Sequence, residues 1–123
     1  MAKIGWSGID VRRGVRVAFE CVVIVKKKES SLIFRTQTEN ISVGGVCVIL
    51  ERGLLKDTPV EIELFLPDVP IPITCGGRVA WSVKRNEYVK RKSLHFDIGL
   101  EFIDITQEDK SRLRRIIEEL LEY

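Results

Sequence analysis

Three arginines lie within five residues of one another near the start of the chain, at Arg12, Arg13 and Arg16. Positive charges this close repel one another unless an anion lies between them. A guanidinium also presents a planar set of donors that matches phosphate oxygens and the O6 and N7 edge of guanine. The segment is therefore either a binding site for a phosphorylated ligand or a solvated basic arm.

A second segment with binding chemistry is Asn40–Gly45, which reads NISVGG. Asn and Ser side chains favour tight turns and present donors and acceptors close to the backbone. The consecutive Gly44 and Gly45 permit positive φ angles and let a ligand approach the main chain. The segment either only reverses the chain between two strands or also forms part of a binding surface.

Residues suited to catalysis or metal binding are few. His95 is the only histidine, so neither a histidine-containing triad nor a histidine metal site can be assembled. No pair of acidic residues is placed for acid–base catalysis. The three cysteines are widely spaced without a CxxC motif, and we predict that they are buried, reduced thiols: Cys21, Cys47 and Cys75. We predict that the protein is not an enzyme and holds no metal or cofactor.

The composition predicts one globular domain, with 123 residues of which 45% are hydrophobic and 31% charged. The net charge of +2 makes a general nucleic-acid binder unlikely, but the charges are segregated, with +5 over residues 1–35 and +3 over residues 83–98. No apolar run approaches the length of about 18 residues that a membrane span needs. The first ten residues contain no apolar stretch typical of a secretory signal. We therefore expect a cytoplasmic protein without membrane insertion.

Hydrophobic periodicity predicts an antiparallel all-β domain that ends in one helix. A strand is expected at residues 15–25, and Gly76-Gly77 is expected to form a bulge or corner in a later strand. Thr106 is suited to cap the helix. The other predicted strands cover 32–39, 46–50, 60–66, 71–83 and 94–102, and the helix buries Leu113, Ile116, Ile117, Leu120 and Leu121. This order predicts a small barrel with the helix over one end or side.

Taken together, the motifs resemble those of the PilZ domain family, which binds the bacterial second messenger cyclic di-GMP. Arg12–Arg16 matches the family's RxxxR motif, and Asn40–Gly45 matches its (D/N)xSxxG motif. Gly77–Trp81 is similar to its GxVxW strand, and Ile98–Phe102 to its late Gly-containing strand. The resemblance implies a six-stranded antiparallel barrel with a C-terminal amphipathic helix. We expect a single domain over 1–123, with an arm over 1–14, the barrel over 15–103 and the helix over 106–123.

The resemblance also implies a role for each motif residue. The motif arginines hold the ligand phosphates and stack on or hydrogen-bond to guanine, and Asn40 pairs with a guanine edge. Trp81 belongs either to the core or barrel wall or to the site. The expected ligand-binding residues are Arg12, Arg13, Arg16, Asn40, Ser42, Gly44 and Gly45. The implied function is a stand-alone, non-enzymatic receptor that relays the signal to an unidentified partner protein through a conformational change of the N-terminal arm.

A different function is suggested by the basic segment over residues 84–92. Its cations surround Tyr88, a mixture compatible with contact to RNA or to an acidic protein. The alternatives are a solvated hairpin tip and a segment that closes over the ligand. The cations are Lys84, Arg85, Lys90, Arg91 and Lys92.

Overall fold

The structure, a computed structural model, describes residues 15–85 and 95–122. The predicted arm over 1–14 lies outside the described residues, and so do residues 86–94, which include all of the basic segment over 84–92 except Lys84 and Arg85. The elements are β1 (Val17–Ala18), β2 (Val22–Lys27), β3 (Ile33–Ile41), β4 (Gly45–Leu50), β5 (Pro59–Phe65), β6 (Ile73–Arg85), β7 (His95–Phe102) and α1 (Gln107–Leu121).

The wall of the barrel consists of six antiparallel strands in the order β3-β2-β5-β6-β7-β4. Pairing of β4 with β3 over Thr38–Ile41 closes the barrel, and the short β1 adds to the same end of β3. Alternate side chains point inward and are fully buried, as Val23 and Val25 of β2 and Ile62 and Leu64 of β5 are. The predicted six-stranded antiparallel barrel with a C-terminal helix is confirmed.

The start of the barrel differs from the single strand that was predicted over residues 15–25. Where β1 passes into β2, three residues lie opposite two residues of β3. The buried Thr38 hydroxyl occupies this irregularity, where it donates to the Phe19 carbonyl at 2.6 Å and accepts the Cys21 N–H at 3.0 Å. The prediction of one continuous strand is wrong because a side chain replaces the regular backbone pairing at this point.

The predicted bulge at Gly76-Gly77 is also wrong. Both glycines pair in regular register with β5, and the irregularity instead lies between Val79 and Trp81, where β6 pairs with β7. Gly77 is required for a steric reason, because a Cβ there would lie 2.8 Å from the carbonyl oxygen of Glu101 on β7. The glycine pair therefore allows a close approach between strands without changing their register.

The C-terminal helix begins as the sequence predicts. The Thr106 side chain accepts the backbone N–H of Asp109, and Leu113, Ile116 and Ile117 are buried against the barrel. Arg112 fixes the helix to the β5–β6 loop, because its Nε and Nη2 donate to the Asp68 carboxylate at 2.8 and 2.9 Å. Among the described residues, no helix has the length and apolar character needed to cross a bilayer.

The Arg112–Asp68 contact predicts a pH-dependent part of the stability. Its hydrogen bonds are the largest cause of the lowered pKa of Asp68. A carboxyl with a lowered folded-state pKa stabilises the fold above its unfolded pKa near 4, and this contribution is lost as the pH falls through the folded value. Asp68→Asn should therefore reduce the free energy of unfolding by about 1 kcal/mol at pH 7. The deficit should shrink as the pH falls below about 4.

Urea unfolding across this pH range measures the effect, with Glu51→Gln as the control for an exposed carboxylate. A deficit that stays constant from neutral pH down to about 2 would show that the two side chains do not form this ion pair.

Candidate functional site

The structure joins one residue from each of the two sequence motifs. Arg16 precedes β1, and the pairing of Ala18 with Asn40 places it beside β3. The Arg16 Nη1 donates a hydrogen bond of 2.8 Å to the Asn40 Oδ1. Since a guanidinium can only donate, the amide oxygen must face it, which leaves the Asn40 Nδ2 as a donor for another molecule. Both side chains are partly accessible on the outer face of the barrel.

The third motif residue, Ser42, is buried and is used inside the β3–β4 turn. Its hydroxyl accepts the N–H groups of Gly44 and Gly45 at 3.2 Å and donates to the Gly45 carbonyl at the same distance. The Ser42 N–H also donates to that carbonyl, at 2.9 Å. The Ser42 side chain therefore holds the shape of the β3–β4 turn. The turn then fixes the position of the exposed Gly44.

The two motif glycines serve different purposes. Neither of them adopts the positive φ angle that glycine permits. Among the described residues only Glu29 and Asp57 have positive φ. A Cβ on Gly45 would collide with the Leu100 carbonyl oxygen of β7, whereas a Cβ on Gly44 would meet nothing within 4 Å. Gly45 is thus required by the packing of the barrel, and Gly44 leaves a stretch of exposed main chain without a side chain.

A row of outward-facing residues extends from Asn40 across four strands. Asn40 pairs with Cys47 of β4, Cys47 with Gly99 of β7, and Gly99 with Trp81 of β6. At about 4.8 Å between strands, the row is about 14 Å long. The Trp81 ring lies directly over Gly99 and remains 39% exposed. Trp81 is therefore part of the outer wall on the same face as Asn40, and not part of the core.

A charged cluster borders this row. Glu39, in a bulge of β3 next to Asn40, forms an ion pair with Arg85 at 3.4 Å, and Arg85 also approaches Asp97 at 3.5 Å. The Cys47 thiol donates to Glu39 at 3.4 Å. Burial, followed by the contact with Glu39, raises the pKa of Cys47 to about 12, so the thiol is protonated and unreactive at neutral pH.

The three cysteines are free and buried, as predicted. Burial is the largest cause of the raised pKa of Cys21 and of Cys75, the latter to about 12.

Not every predicted site residue can be placed. Arg12 and Arg13 lie outside the described residues, as do Tyr88, Lys90, Arg91 and Lys92 of the basic segment. Its described members are Lys84 and Arg85, and Arg85 is engaged with Glu39 and Asp97. Sequence reasoning missed Glu39 and Asp97, and it assigned Arg85 to the basic segment without its acidic partners, because the proximity of the three depends on strand register. The sequence does place Glu39 and Asp97 directly before the motif residues Asn40 and Ile98, but this adjacency does not show that they meet Arg85.

The family of this fold can now be stated. A family model described as the PilZ domain matches residues 10–119. The chain belongs to the PilZ domain family. No curated protein sequence matches it significantly.

Solved structures of other proteins have the same fold. The Bacillus subtilis inhibitor of motility MotI/DgrA has a TM-score of 0.67 and 24% identity, covering 88% of this chain and 50% of that chain. The PilZ domain of YcgR from Escherichia coli, with c-di-GMP, has a TM-score of 0.71 and 16% identity, covering 89% and 91%. The K. pneumonia MrkH complex with c-di-GMP has a TM-score of 0.71 and 16% identity, covering 86% and 49%. This chain thus spans about half the length of MotI and MrkH.

The different environments of the two motif glycines of this PilZ domain predict opposite effects of the same substitution. Gly44→Ala should leave the free energy of unfolding unchanged or raise it by about 0.4–1 kcal/mol, because Ala restricts the unfolded chain and meets no atom in the fold. Gly45→Ala should lower it by more than about 1 kcal/mol, because the Leu100 carbonyl must move. Chemical denaturation of the two variants makes the comparison, and equal losses in both would contradict this account of the turn.

Proposed function

We propose that this PilZ domain is a non-enzymatic receptor for cyclic di-GMP, which it binds through its RxxxR and NxSxxG motifs. The observation that carries the proposal is the Arg16–Asn40 hydrogen bond, which joins the two motifs although these residues are 24 positions apart in the sequence. The PilZ domain of YcgR and the protein MrkH share this fold, and the structures of both were solved with c-di-GMP.

The proposed contacts follow from the donors that the site presents. The ligand has two phosphates, which need cations, and two guanines, whose O6 and N7 edges accept hydrogen bonds. Arg16 has donors beyond the one used by Asn40, and the Asn40 Nδ2 is a further donor on the same side. Both side chains therefore suit the acceptor edge of one guanine. Arg12 and Arg13 supply the charge for the phosphates.

The β3–β4 turn supplies the second wall of the proposed site. Ser42 holds the turn by its hydrogen bonds to Gly44 and Gly45, so the main chain at Gly44 is presented in a fixed conformation. Because no side chain covers Gly44, a ligand can approach its backbone closely. Ser42 and Gly45 thereby contribute to binding by shaping the turn.

The proposal includes a signal that passes to a partner protein. Binding of the ligand by Arg12, Arg13 and Arg16 ties the N-terminal arm to the β3–β4 turn. Neutralising three neighbouring arginines removes their repulsion and changes the surface that the arm presents. A partner that recognises the ligand-bound arrangement would then respond to the concentration of cyclic di-GMP.

Calorimetric titration with cyclic di-GMP is the deciding measurement. The wild-type domain should bind it, and a ligand concentration 100 times the dissociation constant should stabilise the fold by about 2.7 kcal/mol. Arg16→Ala should weaken binding by about tenfold to 100-fold, because it removes hydrogen bonds from a charged donor. The melting temperature of the free protein should be almost unchanged, since the Arg16–Asn40 contact is exposed.

Arg115→Ala, at an exposed helix position, is the matched control and should bind normally. Absence of binding by the wild type at ligand concentrations on the order of 100 µM would exclude the proposal. A large loss of stability in Arg16→Ala would show instead that this arginine serves the fold.

A second prediction concerns the choice of base. A guanidinium fork matches the two acceptors of guanine, whereas adenine presents a donor at the equivalent position. The wild type should therefore prefer cyclic di-GMP over cyclic di-AMP by about 1–3 kcal/mol for each such pair. Arg16→Lys keeps the charge but loses the planar fork, so it should retain part of the affinity and lose most of this preference. If Arg16→Lys still discriminates as the wild type does, Arg16 does not read the base.

A further inference from the structure

The barrel wall is open along one part of the β3–β4 boundary. Among the described strands, β3 pairs with β4 only from Thr38 onward, and its residues 33–37 pair with β2 alone. On the other side, Ile49 and Leu50 of β4 pair only with β7. The Thr36 hydroxyl reaches across and donates to the Ile49 carbonyl at 2.8 Å. The two strands therefore diverge and leave a cleft of about 960 Å³ between them.

The direction of the backbone groups on the β3 edge follows from two hydrogen bonds. The Leu32 carbonyl accepts from Lys27, and the Thr38 N–H donates to Cys21, so both residues face the β1–β2 side. Backbone groups alternate in direction along a strand. The intervening Ile33 and Arg35 must therefore point their N–H and C=O groups into the cleft. Gln37 points the same way, but the pairing of Thr38 with Val48 uses its carbonyl, so the open edge offers the two donors and two acceptors of Ile33 and Arg35.

The charges along the cleft differ between its two ends. At the end near Thr38, its lining includes Glu20 and Glu39. Because Glu39 is already paired with Arg85, Glu20 supplies the negative charge at this end. At the other end, the lining includes the two cations of Arg35 and Arg52 and one carboxylate, that of Glu51. Leu50 lies in the core and Phe34 packs against it. Together they form an apolar floor between the two ends of the cleft. The cleft is thus apolar in the middle, negative at one end and positive at the other.

We propose that the β3 edge binds an extended peptide segment of a partner protein, which adds to the barrel as a strand antiparallel to β3. An unpaired strand edge is a template for the main chain of another strand, and the neighbouring side chains then decide which sequence fits. A strand antiparallel to β3 places its N-terminal end near Glu20 and its C-terminal end near Arg35 and Arg52. The segment therefore carries a basic residue first, alternating β-forming residues next and an acidic residue last.

This docking surface is separate from the proposed nucleotide site. Arg16 and Asn40 lie at the closed end of the β3–β4 boundary and do not line the cleft, whose lining on β3 ends at Glu39. The inference does not depend on cyclic di-GMP, so peptide binding and nucleotide binding can fail independently of each other.

The test uses the full chain and the synthetic peptide acetyl-KVTVTVE-amide. Amide hydrogen exchange followed by NMR should show fast exchange at Ile33 and Arg35 in the free protein. Adding the peptide, with a dissociation constant on the order of 100 µM, should slow exchange at these two amides. The Phe34 amide, which faces β2, should be protected in both states and serves as the internal control.

Matched probes separate strand addition from other modes of binding. N-methylation of the alternate peptide residues that face β3 should abolish binding, whereas N-methylation of the intervening residues should not. The reversed peptide acetyl-EVTVTVK-amide should bind about two- to fivefold more weakly for each mismatched charge. Arg35→Glu should reduce the preference between the two peptides, while Arg115→Glu, at an exposed helix position, should leave it unchanged.

Three results would overturn the proposal. Slow exchange at Ile33 and Arg35 in the free monomer would show that another part of the chain already pairs with this edge. The same protection accompanied by a dimer in size-exclusion chromatography would assign the edge to a second copy. Equal loss of binding with both N-methylated peptides, or no binding of the unmodified peptide at about 1 mM, would exclude strand addition.

Discussion

The hydroxyl of Thr38 is the interaction on which the rest of this barrel depends. It is fully buried, donates to the Phe19 carbonyl at 2.6 Å and accepts the Cys21 N–H at 3.0 Å. Without it, the Cys21 N–H would be buried without a hydrogen-bond partner, which costs about 1–3 kcal/mol, and the partly buried Phe19 carbonyl would lose its partner as well. Because the hydroxyl satisfies both, the chain can shift register here and bring Arg16 alongside Asn40.

The same part of β3 also explains why β3 and β4 are paired at one end of their boundary and separated at the other. Glu39 occupies a bulge directly after Thr38, and bulges bend and twist the strand that contains them. On one side of the bulge, β3 pairs with β4 and the turn brings the second motif to Arg16. On the other side, β3 leaves β4 and stays with β2, which opens the cleft. The proposed nucleotide site and the proposed peptide site are thus two consequences of one irregular position.

The sequence correctly predicted the elements in which hydrophobic residues recur at the regular spacing of a strand or of a helix. The alternation of β7 and the capped, one-sided helix depend on neighbours in the sequence, and both are present. The spacing of the two motifs was also sufficient to identify the family. The β1–β2 break, the true position of the β6 bulge and the Glu39–Arg85 ion pair depend on register between distant strands. Propensity and periodicity contain no information about a one-residue shift in register, so these features could not be derived.

The charges of the described residues around the proposed site balance one another, which is why the proposal assigns the ligand phosphates to the N-terminal arm. Arg16 and Arg85 contribute two positive charges on this face, and Glu39 and Asp97 contribute two negative ones. These four side chains therefore give no net attraction for a dianion, and Arg85 is already shared between the two carboxylates. Without Arg12 and Arg13, the phosphates would meet a locally neutral surface. In the proposed function Arg12 and Arg13 supply this charge, so ligand binding would depend on the position of the arm and would thereby change the surface of the protein.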